Sequence, residues 1–130
     1  MTKKRATDQK KVILKVLQES LEHLTADEVY KRSRKILSSI GVATVYRNLD
    51  EMVNQKLIDE VYVAGQPKWY EIKKGGYHGH TFCEKCLKLG EIASCCLCST
   101  KNKLQQWDDF EGREWRFLIV GKCKKCLEKY

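Results

Sequence analysis

The 130-residue chain predicts an α+β fold in two parts, a helical N-terminal half closed by a β-hairpin and a smaller C-terminal α/β half. Three observations point there. Apolar residues recur at helical intervals through the first half of the chain, and two short Val/Tyr/Trp-rich runs follow them. The charged, glycine-bearing KKGG at residues 73–76 then marks a change in composition, and all seven cysteines lie beyond it.

In ATDQKKVILKVLQESLEHL, Val12, Ile13, Val16, Leu17 and Leu21 form one apolar stripe with lysines outside it, the pattern of an amphipathic helix. TADEVYKRSRKIL begins with Thr25 and has Glu28 three residues on, which is the signature of a capping box. In VATVYRNLDEMVNQKLI, Val45, Leu49, Met52 and Val53 face inward, while Thr44, Tyr46, Arg47 and Asn48 mostly lie off that stripe. DEVYVAGQPKWYEI reads as a hairpin turning at Ala64 to Pro67. Three helices followed by a β-hairpin is the order of a winged helix-turn-helix, predicted here for residues 1–72, with a hinge at 73–76. Residues 77–130 contain a strand-like HTFCEKCLKLGEI, a predicted helix within STKNKLQQWDDFEG and a strong strand in EWRFLIVGKC. Strands interleaved with a helix give a small α/β domain.

Cys83-x-x-Cys86 and Cys123-x-x-Cys126 repeat one spacing. Zinc takes four ligands in a tetrahedron, and a tight turn between two cysteines supplies two at once. Two such turns brought together make a closed, all-thiolate structural site, a useful staple for so small a domain. A redox pair and four unconnected thiols are the competing readings. The N-terminal MTKKRATDQKK has no apolar signal segment, so a cytoplasmic location is expected, where metal–thiolate bonds are favoured over disulfides. An odd cysteine count also opposes complete intramolecular pairing. No apolar run is long enough to span a membrane. A formal net charge of +8 fits a polyanionic partner.

Taken in order, HLTADEVYKR, IGVATVYRNLDEMV, KWYEI, H-x-H-x-x-C-x-x-C and the last C-x-x-C resemble the ferric uptake regulator family of bacterial metal-dependent repressors over nearly the whole chain. The resemblance implies a DNA-binding winged-helix domain, a hinge and a dimerisation domain. It also implies a regulatory metal site at His23, Glu71, His78, His80 and Glu91, a set that uses every histidine in the chain. Imidazole with carboxylate suits iron(II), manganese(II) or zinc(II). Glu71 stands where peroxide-sensing members tend to carry aspartate, which leans towards iron sensing. A further metal site found in many relatives maps to Tyr77, Gly79, Cys98 and Trp115, of which only Cys98 is a good ligand. That site is expected to be missing. Cys95, Cys96 and Cys98 read as small reduced side chains or, alternatively, as a redox switch or an extra thiolate site. Lys56 occupies a position where relatives often end the recognition helix with glycine.

By the same resemblance the helix in VATVYRNLDEM enters the major groove of double-stranded DNA. Tyr46 and Arg47 are candidates for base contacts, and Thr44 and Asn48 for phosphate or base edges. Lys3, Lys4, Arg5, Lys10 and Lys11 suit the backbone or minor groove. A homodimer would present two such helices to an A·T-rich inverted repeat. The competing classes are a small non-haem metalloenzyme, for which five protein ligands leave little room for substrate, and a metal-storage protein, which has no need of a recognition helix.

Overall fold

A computed structural model describes residues 2–20, 22–73, 79–92, 110 and 116–128, with side chains described from residue 7 onward. The chain divides into two compact units, Met1–Lys74 and Gly75–Tyr130, each of which is taken by itself.

The first unit opens with α1 (Thr2–Glu19), then a two-residue strand β1 (Leu24–Thr25), α2 (Ala26–Ile36), α3 (Val42–Asn54), and the strands β2 (Ile58–Val61) and β3 (Trp69–Ile72). The apolar stripes of the helices converge on one core. Ile13, Val16 and Leu17 of α1 meet Val29 of α2 and Val45, Leu49 and Met52 of α3, all buried. Val12 sits at the margin of the stripe, half-buried, with Leu14 and Val53 packed against the core from outside.

Helix α2 starts where its sequence says it should. Thr25 Oγ1 accepts from the Glu28 N–H at 3.3 Å, and the Glu28 carboxylate accepts from the Thr25 N–H at 3.2 Å. This reciprocal pair satisfies two donors that a helix start otherwise leaves orphaned. The turn that follows helix α3 passes through Lys56, whose φ of 60° lies in the left-handed region. Glycine adopts that conformation freely and lysine does not.

The sheet of the first unit has three strands, in the order β1-β3-β2. The hairpin of β2 and β3 forms the wing; its connection passes through Gly65 at φ 80°, and Gln66 N–H donates to the Val63 carbonyl at 3.0 Å. Strand β1 is a finding that periodicity does not foresee. It pairs antiparallel with β3, Leu24 against Tyr70 and Thr25 against Trp69.

The second unit contains β4 (Gly79–Cys83), β5 (Leu89–Ile92), β6 (Phe117–Gly121) and the short helix α4 (Lys124–Leu127). The strand-like HTFCEKCLKLGEI is in fact a hairpin. Strands β4 and β5 run antiparallel, with a turn at Glu84–Cys86 between them. Strand β6 lies parallel to β4 on its other side, giving the order β5-β4-β6. The connection from β5 to β6 includes the stretch for which a helix is predicted, and apart from Phe110 it lies outside the described residues up to Arg116. Among the described residues no helix is long and apolar enough to cross a membrane.

Candidate metal centres and reading helix

The four paired cysteines come together in the second unit. Cys83 ends β4, and the chain turns back through Leu87 at φ 62°, whose N–H donates to the Cys83 carbonyl at 2.9 Å. Cys123 stands at the start of α4 and Cys126 within it, and Cys126 N–H donates to the Cys123 carbonyl at 3.0 Å. The parallel pairing of β4 with β6 sets Cys83 beside Gly121, two residues before Cys123, so the sheet register delivers one knuckle to the other. The four sulfurs lie within 4.8 Å of one another, with Cys86 Sγ 3.8 Å from Cys123 Sγ.

Electrostatics favour a cation there. Backbone N–H groups of Cys86 and Cys123 donate to Cys83 Sγ, which lowers its pKa to about 6 despite the cost of burial. The Cys123 thiol is lowered as well, chiefly by the Cys126 N–H. Cys126 is pushed up to about 12, first by the Cys123 sulfur beside it and then by burial. Early protons leave easily and the last is held back by the negative charge already present. A divalent ion resolves that conflict, and four thiolates at this spacing suit zinc.

Four of the five sequence candidates for the regulatory site are described, two within each unit. Extending the β1–β3 register by one residue places His23 opposite Glu71, and the imidazole Nε2 contacts the Glu71 carboxylate directly. Both are largely buried, at 11% and 7% side-chain exposure. In the second unit, His80 on β4 is the cross-strand partner of Glu91 on β5, and His80 is buried. Directly opposed residues of an antiparallel pair hold their Cβ atoms about 4.5–5.5 Å apart, which in the first unit brings an imidazole and a carboxylate into contact, whereas in the second unit His80 is buried and Glu91 is exposed. A buried carboxylate against an imidazole is a donor set that fits a borderline divalent ion. His78, Cys95, Cys96 and Cys98 lie outside the described residues, as do Tyr77 and Trp115.

On α3, Val45, Leu49 and Met52 are buried and Tyr46 and Arg47 are exposed. Arg47 Nη2 donates to Thr44 Oγ1 at 3.3 Å, which steadies an otherwise exposed guanidinium. Thr44 and Asn48 are half-buried, and the Asn48 amide donates to the Thr44 carbonyl at 2.8 Å. Lys10 reaches Gln55 Oε1 at 3.1 Å just past the end of α3, and Lys11 is exposed. The side chains of Lys3, Lys4 and Arg5 lie outside those described.

Comparison with known proteins bears on the whole chain. The peroxide-responsive repressor PerR of Staphylococcus aureus is 30% identical over 125 residues, covering 96% of this chain and 84% of that protein. The Campylobacter jejuni peroxide stress regulator superposes with a TM-score of 0.81 at 30% identity, over 94% of this chain and 91% of its own. The Francisella tularensis ferric uptake regulator, solved with iron, gives 0.78 at 27% identity over 92% of each chain. The Helicobacter pylori ferric uptake regulator shares the fold at 0.83 with 23% identity, over 94% of this chain and 81% of that one. The sequence model of the ferric uptake regulator family matches residues 2–119. With three helices and a β-hairpin in the first unit and four clustered cysteines in the second, the chain belongs to the ferric uptake regulator family of metal-responsive, DNA-binding transcriptional regulators.

Proposed function

We propose that the protein is a metal-activated transcriptional repressor, working in the cytoplasm as a homodimer on an A·T-rich inverted-repeat operator in double-stranded DNA. Zinc on Cys83, Cys86, Cys123 and Cys126 holds the second unit together. Iron(II), with manganese(II) or zinc(II) as substitutes, is the regulatory ion of His23, Glu71, His78, His80 and Glu91. One observation carries this reading: ligand-competent side chains lie on both sides of residues 73–76, His23 in contact with Glu71 before them, and buried His80 opposite Glu91 in the strand register after. An ion that draws donors from both units fixes one relative to the other, and it favours that arrangement only by its differential affinity for it. A coupling of about 1–3 kcal/mol changes DNA affinity by roughly 5–150-fold. In the bound dimer Tyr46 and Arg47 meet bases, Thr44 and Asn48 meet phosphate or base edges, and Lys3, Lys4, Arg5, Lys10 and Lys11 meet the backbone or minor groove.

The test is duplex affinity, followed by fluorescence anisotropy, for the zinc-containing full chain with and without added manganese(II). The DNA is a duplex selected from a randomised pool by the manganese-loaded protein. His23→Ala is expected to lose most of the metal response while keeping its zinc. A variant that responds to manganese as the wild type does would overturn the clamp.

A second reading is favoured by the 30% identity to a peroxide-responsive repressor and to a peroxide stress regulator. Against it stands Glu71, where the peroxide sensors of the family tend to hold aspartate. Mass spectrometry of the iron-loaded protein after brief peroxide separates the two. Oxygen added to His23 or His80 supports peroxide sensing, and unmodified histidines support iron sensing.

A further inference from the structure

The exposed flank of α3 holds more apolar surface than folding explains. Val42, the first residue of the helix, is 48% exposed, and Tyr46 one turn later is 47% exposed. Ala43 is also exposed and, at helical spacing, shares with Arg47 the side opposite the buried Val45–Leu49–Met52 stripe. Val42, Ala43, Tyr46 and Arg47 thus make one continuous surface of three apolar side chains and a single cation. A β-branched valine at an exposed helix start is neither a good helix former nor a cap. Gly41 before it has an ordinary φ of −97°, and a Cβ there would meet nothing within 4 Å, so nothing in the described fold asks for glycine. Its bare backbone leaves the approach to this end of the helix open.

Charge decides which way such a helix meets a polyanion. There is no acidic residue in its first turn, whereas Asp50 and Glu51 are exposed in its second half. The N-terminal half therefore goes in and the C-terminal half stays out. What the leading surface meets in a major groove follows from its chemistry. It has one guanidinium for guanine and three apolar groups, and the apolar feature of a major-groove edge is the thymine C5-methyl.

We infer that Val42 and Ala43 are specificity-determining residues that read thymine methyl groups, extending the contact surface of Tyr46 and Arg47 towards the start of the helix. The inference rests on the DNA-binding function proposed above. It makes the A·T preference a matter of methyl recognition at defined positions rather than of groove width alone.

The experiment uses the manganese-loaded full chain and the duplex that its wild type selects from randomised DNA, with each thymine replaced in turn by deoxyuridine, which lacks only the methyl. Wild type is expected to lose affinity about four-fold for each methyl that Val42 or Ala43 covers, the effect of one buried methyl-sized group. Val42→Ala, an exposed change that leaves the core untouched, should bind the thymine duplex less tightly by a similar factor. It should be indifferent to uridine at one position where wild type is sensitive, while methyls under Tyr46 keep their effect and show that the helix still docks in register. A uridine profile identical in wild type and Val42→Ala, or a wild type that ignores every methyl, overturns the inference while leaving DNA binding standing. Failure of the wild type to enrich any sequence sinks both.

Discussion

Lys56 and Leu87 carry the same backbone anomaly in two different settings, a non-glycine residue at φ near 60° where the chain must reverse. At the end of α3 the left-handed turn lets the Lys56 N–H reach the Val53 carbonyl at 3.0 Å and the Leu57 N–H reach Met52 at 2.9 Å, closing the helix before β2 begins. Left-handed geometry costs an L-residue roughly 1–2 kcal/mol, part of which glycine gives back through its more flexible unfolded chain. Lys56→Gly should therefore raise stability by about 0.5–1 kcal/mol, seen as a higher urea midpoint for the first unit's helical signal. The cysteines give a residue-scale prediction with a sign. Cys126 holds its proton up to about 12 in the metal-free site and Cys83 releases its own near 6. Binding zinc at neutral pH must displace the Cys126 proton, so affinity should fall at least about tenfold for each unit of acidification. Below about 6 the decline should steepen as Cys83 also takes up a proton. Competition with a chromophoric chelator across that range checks it, and a flat profile would contradict the thiolate assignment.

At the scale of elements, the helices and the wing were legible because each repeats a period long enough to be seen. The α2 capping box was legible because its two partners are three residues apart. Thr25→Ala removes the side-chain acceptor and should cost about 0.5–2 kcal/mol, measured by denaturant unfolding. Strand β1 was hidden for a physical reason. Two residues have no period, and their strand character comes wholly from pairing with β3. Yet this strand is what brings His23 to Glu71, so sequence could nominate both candidates without showing how they meet. The β4–β5 hairpin was hidden by its own chemistry. Its reversal is made at Leu87, in place of the glycine that would have announced a turn, and the two strands read as one run. Helix α4 is four residues long, too short for any stripe. The exposed surface of α3 was half legible: Tyr46 and Arg47 stand out by chemistry, whereas Val42 and Ala43 look like core residues until their exposure is known.

At the scale of the molecule, the two units differ in what makes them stable. The first buries a contiguous apolar core drawn from three helices and its sheet. Among the described residues the second buries few large apolar side chains, chiefly Phe82 and Leu89, alongside Cys83 and Cys126. Leu118, Ile119 and Val120 of β6 are partly to well exposed. Chelating the zinc, or Cys123→Ser, should accordingly unfold the second unit and, with the dimerisation role proposed for it, abolish the dimer while the helical circular dichroism of the first largely persists. Light scattering and thermal melting together check this, and a dimer that survives zinc removal would contradict it. The divided architecture has a consequence for a bacterium starved of zinc. On the inverted-repeat operator proposed above, new chains would still carry a folded first unit, but each would be solitary, able to engage half the repeat and unable to hold it. Under the repressor function proposed above, promoters would then be released by want of one nutrient while the regulatory ion remained plentiful.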